Sequence, residues 1–440
     1  MTRAIRTGGF VRLESGIMTT DTIAEALNRS CHCISVDQVA LQQSLEASLG
    51  ESGAFSRLQE SHPHLLAKSP VFVSREHIEQ MKAVIRALDH VTRLEDFQDL
   101  ALGWVPAIAS INHGTLGAFF GYDFHLTIDG PRLIEVNTNA GGALLLLHVA
   151  DAQQACCQAV ENFVVGRFNI TDLETEFVNM FRRELALQSP RADLRRVAIV
   201  DENPAEQYLG PEFALFKQMF EEHGIDAMIA GPDEFVRQGD SLLVNGEAVD
   251  LVYNRLTDFY LQSADCAVLS DAYEHGVVVL TPSPRTHALY ANKRLLTVLS
   301  DAALLHELGA DARHAAVLAR AVPKTELVTA ANADDLWSRR RQLFFKPVWG
   351  FGSRGTYKGA KLTKKTWAEI LDADYIAQAL VPPSERLLII DGDEQSMKLD
   401  VRCYVYDGDI QLLGARLYRG QTTNFRTDGG GLAAVFTTPD

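Results

Sequence analysis

The stretch Gly130-Pro131-Arg132-Leu133-Ile134-Glu135-Val136-Asn137-Thr138-Asn139-Ala140-Gly141-Gly142 decides how the rest of the chain is read. Leu133 to Val136 have the apolar character of a buried strand end. Glu135 and Asn137 are two apart, so on a strand they share a face. A carboxylate beside an amide oxygen is a pair of hard oxygen donors, the ligand chemistry of Mg2+. The glycines that follow let backbone approach a phosphate closely. Asp123, in Gly121-Tyr122-Asp123-Phe124-His125-Leu126, lies on a preceding apolar run and adds a second carboxylate. The pattern predicts a metal site of Asp123, Glu135 and Asn137.

The totals bound the answer. A chain of 440 residues holds two or three domains with substantial cores. Hydrophobic residues at 47% and charged ones at 22% are those of a soluble globular protein. A net charge of -16 argues against a general nucleic-acid binder, and any polyanion site must concentrate its cations locally. Cys31, Cys33, Cys156, Cys157, Cys266 and Cys403 show no framework spacing, so free thiols in a reducing compartment are expected. Cys31-His32-Cys33 lacks a partner pair and makes a weak zinc signal. Met1 to Arg12 has basic residues but no apolar core of a signal peptide, and the run Ala143 to Ala150 is too short to span a bilayer. A cytoplasmic protein is expected.

Along the chain, apolar residues recur at helical spacing over 21–27, 36–49 and 74–91. Residues 105–137 read as strands with a turn at Asp129-Gly130. A helix is predicted over 143–168 and another to about 187. Residues 195–201 read as a strand, 211–223 as an amphipathic helix, and 226–229 as a short strand. Asn245-Gly246 is a hairpin turn, and 250–255 is a further strand. Parallel strands of such a unit place ligands beyond their carboxyl ends, where Asp201, Asn203 and Arg255 fall. Later, Phe344-Phe345-Lys346-Pro347 is a strand entering a glycine loop, and 400–406 with 411–416 form a hairpin about Asp407-Gly408. The expected units are 1–104, helical; 105–190, the first part of the core with the metal-binding strands; 191–285, an inserted parallel α/β substrate-binding domain; and 286–440, the second part of the core with a glycine-rich lid.

The second strong signal is Lys346-Pro347-Val348-Trp349-Gly350-Phe351-Gly352-Ser353-Arg354-Gly355-Thr356. It is no Walker loop, which needs GxxxxGK followed by Ser or Thr. A strand lysine before a glycine loop suits phosphate binding by Lys346, by the backbone of Gly352, Ser353 and Gly355, and by Arg354. Lys293 lies at the start of a helix. Arg402 and Arg416 are cations on hairpin strands of an acidic protein, either ion-paired or phosphate-facing. Arg426 stands before a second glycine cluster.

Taken in order, these features resemble the ATP-grasp ligases: a lysine, a lysine with a glycine loop, an Asp-x-Arg, an Arg before Gly-Gly, with the Asp and Glu-x-Asn metal end moved upstream. The chain resembles one family permuted in this way, the eukaryotic-type glutathione synthetases. Leu133-Ile134-Glu135-Val136-Asn137-Thr138 matches its Ile-Glu-Ile-Asn-Thr metal segment, and Asp428-Gly429-Gly430-Gly431-Leu432-Ala433-Ala434 its closing loop. The resemblance implies an α/β, circularly permuted ATP-grasp fold that uses ATP and Mg2+. It assigns ATP to Lys293, Lys346, Gly352, Ser353, Arg354, Gly355, Gln378 and Arg416. It assigns a dipeptide-like substrate to Asp201, Asn203, Gln207, Arg255, Tyr260 and Arg426, and catalysis to Arg402 and Arg426. Gly350 replaces a metal-binding Glu of the family, and Gln378 stands where the family has a Glu-Lys hinge.

The implied activity is amide-bond formation between a carboxylate such as γ-glutamylcysteine and an amine such as glycine, through an acyl phosphate. The implied partners are these small molecules, with neither nucleic acid nor membrane, and a homodimer. The alternatives are a ligase of another peptide-like product and a non-catalytic ATP-binding paralogue.

Overall fold

The computed structural model describes residues 20–32, 35–50, 52–154, 170–350, 352 and 354–438. Three sheets position the site. The largest has seven strands, six of them in the order Val71–Ser74, Gly431–Thr438, Asp409–Tyr418, Asp393–Tyr406, Phe120–Thr127, Gly130–Asn137; the seventh, Ser384–Ile390, pairs with the first half of Asp393–Tyr406. The two longest strands turn at Asp407-Gly408, where φ is 49° and 78°. That left-handed pair is what a two-residue hairpin needs, and Asp-Gly supplies it. Segments on both sides of residues 191–285 thus share one sheet.

This sheet is amphipathic because its strands alternate. Tyr122, Phe124, Leu133, Val401, Cys403, Ala415 and Leu417 pack with Met81, Val84, Ile85 and Leu88 of the helix Arg75–Thr92 in one apolar cluster. Residues one position away, Asp123, Asp400, Arg402 and Arg416, therefore turn to the opposite face. The register opposes Asp123 to Glu135 and Arg402, and Asp400 to Arg416. A shift between Asp123 and Phe124 leaves Ile134 as an extra residue, a bulge of the kind that re-aims side chains.

The second sheet is parallel, in the order Val279–Thr281, Leu251–Asn254, Arg196–Val200, Asp226–Ala230. Val197, Ile199, Leu251 and Tyr253 face one core, and Ala198, Val200, Val252 and Leu280 face another. Burial on both faces explains its unbroken apolar strands. The third sheet is antiparallel, in the order Thr325–Leu327, Tyr375–Ala379, Leu343–Pro347, Tyr357–Lys358. Phe345 and Ala377 pack on Leu336 and Ile370, which leaves Phe344, Lys346 and Gln378 on its other face.

Two expectations need correction. Residues 105–119 contain no strand; a short 3-10 helix, Ala107–Ser110, follows Pro106, and the chain turns through positive φ at Gly114, Gly117 and Phe119 before Phe120–Thr127 begins. Proline and left-handed backbone break a ladder. The helix expected to Phe168 ends at Asp151, after which Gln153–Gln154 pairs with Ser35–Val36; residues 155–169 lie outside those described. Lys293 lies in the turn between the helices Pro284–Tyr290 and Leu295–Leu299. Cys31, Cys266 and Cys403 are buried, while Cys33, Cys156 and Cys157 lie outside the described residues. No described helix is long and apolar enough to cross a membrane.

Candidate functional site

The polar face of the seven-stranded sheet and the cleft face of the small antiparallel sheet enclose a cavity of about 360 Å³. Asp123, Glu135, Asn137, Asp400 and Arg416 line it from the first; Phe344, Lys346 and Gln378 line it from the second. Lys293, Gly350, Gly352 and Arg354 also line it. Seven Lys and Arg side chains face four carboxylates in this lining, so a chain of net charge -16 concentrates positive charge here. That is the local field a polyanion requires.

Lys346 joins the two halves of the cavity. Its Nζ donates to the Ile134 carbonyl at 3.0 Å and lies 4.0 Å from Glu135 Oε2. Burial pushes this ammonium down to about 8, against the pull of Glu135. Burial also raises the Glu135 carboxyl, but Lys346 and Lys293 outweigh it and hold the group below its usual range. Lys293 donates to the Gly350 carbonyl and so tethers the glycine loop. At Gly350 an added Cβ would lie 2.5 Å from Pro347 Cγ, so the loop as folded excludes a carboxylate side chain there. Ser353 lies outside the described residues.

Asp123 is held differently from a free metal ligand. Arg402 grips it with two hydrogen bonds of 2.7 and 2.8 Å, Arg416 adds a contact at 2.9 Å, and the Asn137 amide donates at 3.0 Å. Burial raises its carboxyl, and the two guanidiniums overcome that and lower it. Arg416 also donates to Asp400 at 2.7 Å, and the Thr423 hydroxyl donates to the other Asp400 oxygen at 2.6 Å. Arg402 is therefore an anchor for Asp123, absent from the cavity lining, whereas Arg416 reaches the cavity. Gln378 is 2% exposed and its Nε2 has no hydrogen-bond partner. A buried donor left unpaired costs about 1–3 kcal/mol, which a ligand acceptor would recover.

The residues assigned to a second substrate are absent from this lining. Asp201 and Asn203 follow the strand Arg196–Val200, and Arg255 follows Leu251–Asn254. Asp201 rises to about 6 through burial, against the pull of Arg255. Gln207 donates to the Glu202 carbonyl. Tyr260 is buried with its hydroxyl unpartnered, its ring edge-on to Trp349 at 6.0 Å. Arg426 is exposed, and its charge acts on Tyr208. Tyr208 stacks on Phe425 and donates to the Phe425 carbonyl at 3.0 Å.

Arg255 already has a carboxylate of the chain itself. Its Nη1 lies 3.2 Å from Glu212 Oε2 and 3.0 Å from the Tyr253 hydroxyl, while its Nε is buried without a partner. Glu212, fully buried, also accepts the backbone N–H groups of Gly142 and Leu144 at 2.8 and 3.3 Å. It thus fixes the start of the helix Ala143–Asp151 and the arginine together. Gly141 is required here, since its Cβ would come within 2.4 Å of Arg255 Nη2. Arg255→Ala is expected to cost about 3 kcal/mol, the low end for breaking a buried pair, because two N–H groups still satisfy Glu212. A thermal melt of the free protein checks this; an unchanged melt would mean that Arg255 serves a ligand alone.

Several lining residues carry no motif that marks them in the sequence: His125, Lys358, Lys361, Glu385, Lys398 and Thr423. Period-two alternation outward from Asp123 and Asp400 finds His125 and Lys398. The others come from a loop, a 3-10 turn and strands without a pattern of their own.

No protein-family model and no curated protein sequence matches the chain. Among solved structures, a glutathione synthetase-like effector of Globodera pallida aligns over 91% of this chain and 97% of its own, at 12% identity and a TM-score of 0.54. At that identity the likeness is one of fold. A candidate gamma-glutamylcysteine synthetase of Methylobacillus flagellatus aligns over 81% of this chain and 86% of its own, at 12% identity and a TM-score of 0.43. The ATP-grasp ligase PsnB, solved with a minimal precursor, Mg and ADP, aligns over 55% and 88%, at 12% identity and a TM-score of 0.29. At such scores these two add nothing to the fold.

Proposed function

We propose that this chain is an ATP-dependent ligase that joins a carboxylate to an amine. The observation that carries this reading is the meeting of Glu135 and Asn137 with Lys346 and Arg416 in one cation-rich cleft, with the glycine loop tethered at its rim by Lys293. A Mg2+ ion fits the donors present in part. Glu135 and the Asn137 amide oxygen are hard donors, whereas both Asp123 oxygens are engaged by arginines and by Asn137. Glu135 and Asn137 would hold the ion, and when bound it would neutralise phosphate charge and polarise the γ-phosphoryl group.

The chain's own residues have defined roles. Lys346 and Lys293 bring cationic charge to the phosphates, and Arg416 brings a guanidinium fixed by two carboxylates. Gln378 offers its unpartnered amide, and the wall Leu380–Pro383 offers apolar contact, for an adenine ring. A substrate carboxylate attacks the γ-phosphate to give an acyl phosphate and ADP; the amine then attacks the acyl carbon and phosphate leaves. No protein nucleophile is needed, so alignment and charge neutralisation are the protein's share. The loop after Lys346 would exclude water from the acyl phosphate.

Glutathione synthesis is the first substrate pair to test. A different peptide-like product is the second to test, since the arginine assigned to the substrate carboxylate already pairs with Glu212 through Nη1. The deciding experiment measures phosphate release with ATP and Mg2+ against γ-glutamylcysteine plus glycine, then against other carboxylates and amines. Turnover that requires both a carboxylate and an amine supports the ligase. Absence of nucleotide binding would overturn it.

Lys346 makes nucleotide affinity pH-dependent. Its ammonium sits near 8, so it is mostly charged at neutral pH and mostly neutral at pH ~9. Binding of a triphosphate needs the charged form, so affinity for a non-hydrolysable ATP analogue is expected to fall about tenfold from pH ~7 to pH ~9. Lys346→Arg should flatten that slope, because guanidinium keeps its charge. Isothermal titration at the two pH values checks both.

A further inference from the structure

Away from the cleft, three ligand-type side chains meet where the helix Arg75–Thr92 packs beside the helix Ala312–Ala321. We propose that His90, Asp311 and His314 form a binding site for a divalent transition-metal ion of the zinc class, independent of the nucleotide cleft.

The carboxylate is fixed before any ion arrives. Asp311 caps its helix through Oδ1, which accepts the N–H groups of Arg313 and His314 at 3.0 Å each. Its other oxygen, Oδ2, is turned to the two rings, 2.6 Å from His314 Nδ1 and 3.6 Å from His90 Nε2. All three donor atoms lie within 4.8 Å of one another. The edge of a tetrahedron around zinc is about 3.3 Å for bonds of ~2.0 Å, so small side-chain rotations close the shell.

Helix capping accounts for Asp311 and for its contact with His314, three residues on. It does not account for His90, which comes from the other helix. The His90 and His314 rings stack at 4.3 Å with an interplanar angle of 23°. Met81, Val84, Leu88, Ala315 and Leu318 belong to one buried cluster, which fixes the two backbones without metal. Two imidazoles and one carboxylate select Zn2+, Ni2+, Co2+ or Cu2+ over Mg2+ and Ca2+. The rings are 41% and 28% exposed, which leaves water the remaining coordination positions.

The full chain should bind Zn2+ or Ni2+ in isothermal titration with one site that excess Mg2+ does not displace. His90→Ala and Asp311→Asn should each weaken that site at least ~10-fold, the scale set by losing even outer partners of a ligand. Asp311→Asn is the sharper variant, because Asn still caps the helix and the metal-free fold is retained. At equal metal concentration the melting temperature of the wild-type chain should rise by more than that of Asp311→Asn. Equal stoichiometry and affinity in wild type and in His90→Ala/His314→Ala would overturn the proposal, as would failure of the wild-type chain to bind either ion at micromolar concentration.

Discussion

Glu135→Gln is expected to abolish ATP-dependent turnover, by about 10³-fold, while the protein stays folded. The size follows from the role proposed for the side chain. A carboxylate that holds the charge-neutralising ion supports several kcal/mol of transition-state stabilisation, and about 4 kcal/mol is three decades in rate. The fold survives because Glu135 is partly exposed and its ammonium partner is 4.0 Å away. A second effect has a definite sign. The Glu135 carboxylate raises Lys346, so an amide there lets burial push the ammonium further below about 8. Nucleotide binding near neutral pH should therefore weaken along with turnover. Wild-type rates of ADP release in this variant would remove the metal assignment; lost turnover with an unchanged melt would support it.

The parts of this site legible in sequence are those that local periodicity fixes. Glu135 and Asn137 share a face because a strand alternates, and Lys346 is set opposite Phe345 for the same reason. The hairpins at Asn245-Gly246 and Asp407-Gly408 were readable because their backbones need positive φ, which those residues tolerate. What sequence could not show is which partner a charge takes across the fold. Arg402 and Arg416 were legible as cations on strands, either paired or phosphate-facing. Only the antiparallel register, which sets Arg402 opposite Asp123 and Arg416 opposite Asp400, decides that one is an anchor and the other also reaches the cleft. Arg255 fell at the carboxyl end of a parallel strand as the topology requires. Its pairing with Glu212, on a helix 43 positions earlier, is a long-range fact that no spacing encodes. The break over 105–119 has a local cause, since Gly114, Gly117 and Phe119 all adopt positive φ, which apolar composition does not encode.

Asp123→Ala separates two roles that sequence could not distinguish. Were Asp123 a metal ligand waiting beside Glu135, its removal would relieve repulsion between carboxylates, and the metal-free protein would become no less stable. The geometry dictates the reverse. Asp123 is 2% exposed and takes three hydrogen bonds or ion pairs from Arg402 and Arg416. Arg402 is 8% exposed, and both of its hydrogen bonds to a carboxylate run to Asp123, so alanine leaves a buried guanidinium uncompensated. Breaking a buried pair from one side costs about 3–5 kcal/mol, and the upper end applies because two arginines lose the same anion. Arg416 keeps Asp400 at 2.7 Å, which confines the damage. The melting transition that includes the seven-stranded sheet should fall by about 10 °C. The double variant Asp123→Leu/Arg402→Met should recover much of that loss, because an apolar pair of similar volume leaves no orphaned charge. A melt of Asp123→Ala equal to or above that of the wild type would show that the arginines do not depend on Asp123 and would restore it to the proposed metal shell.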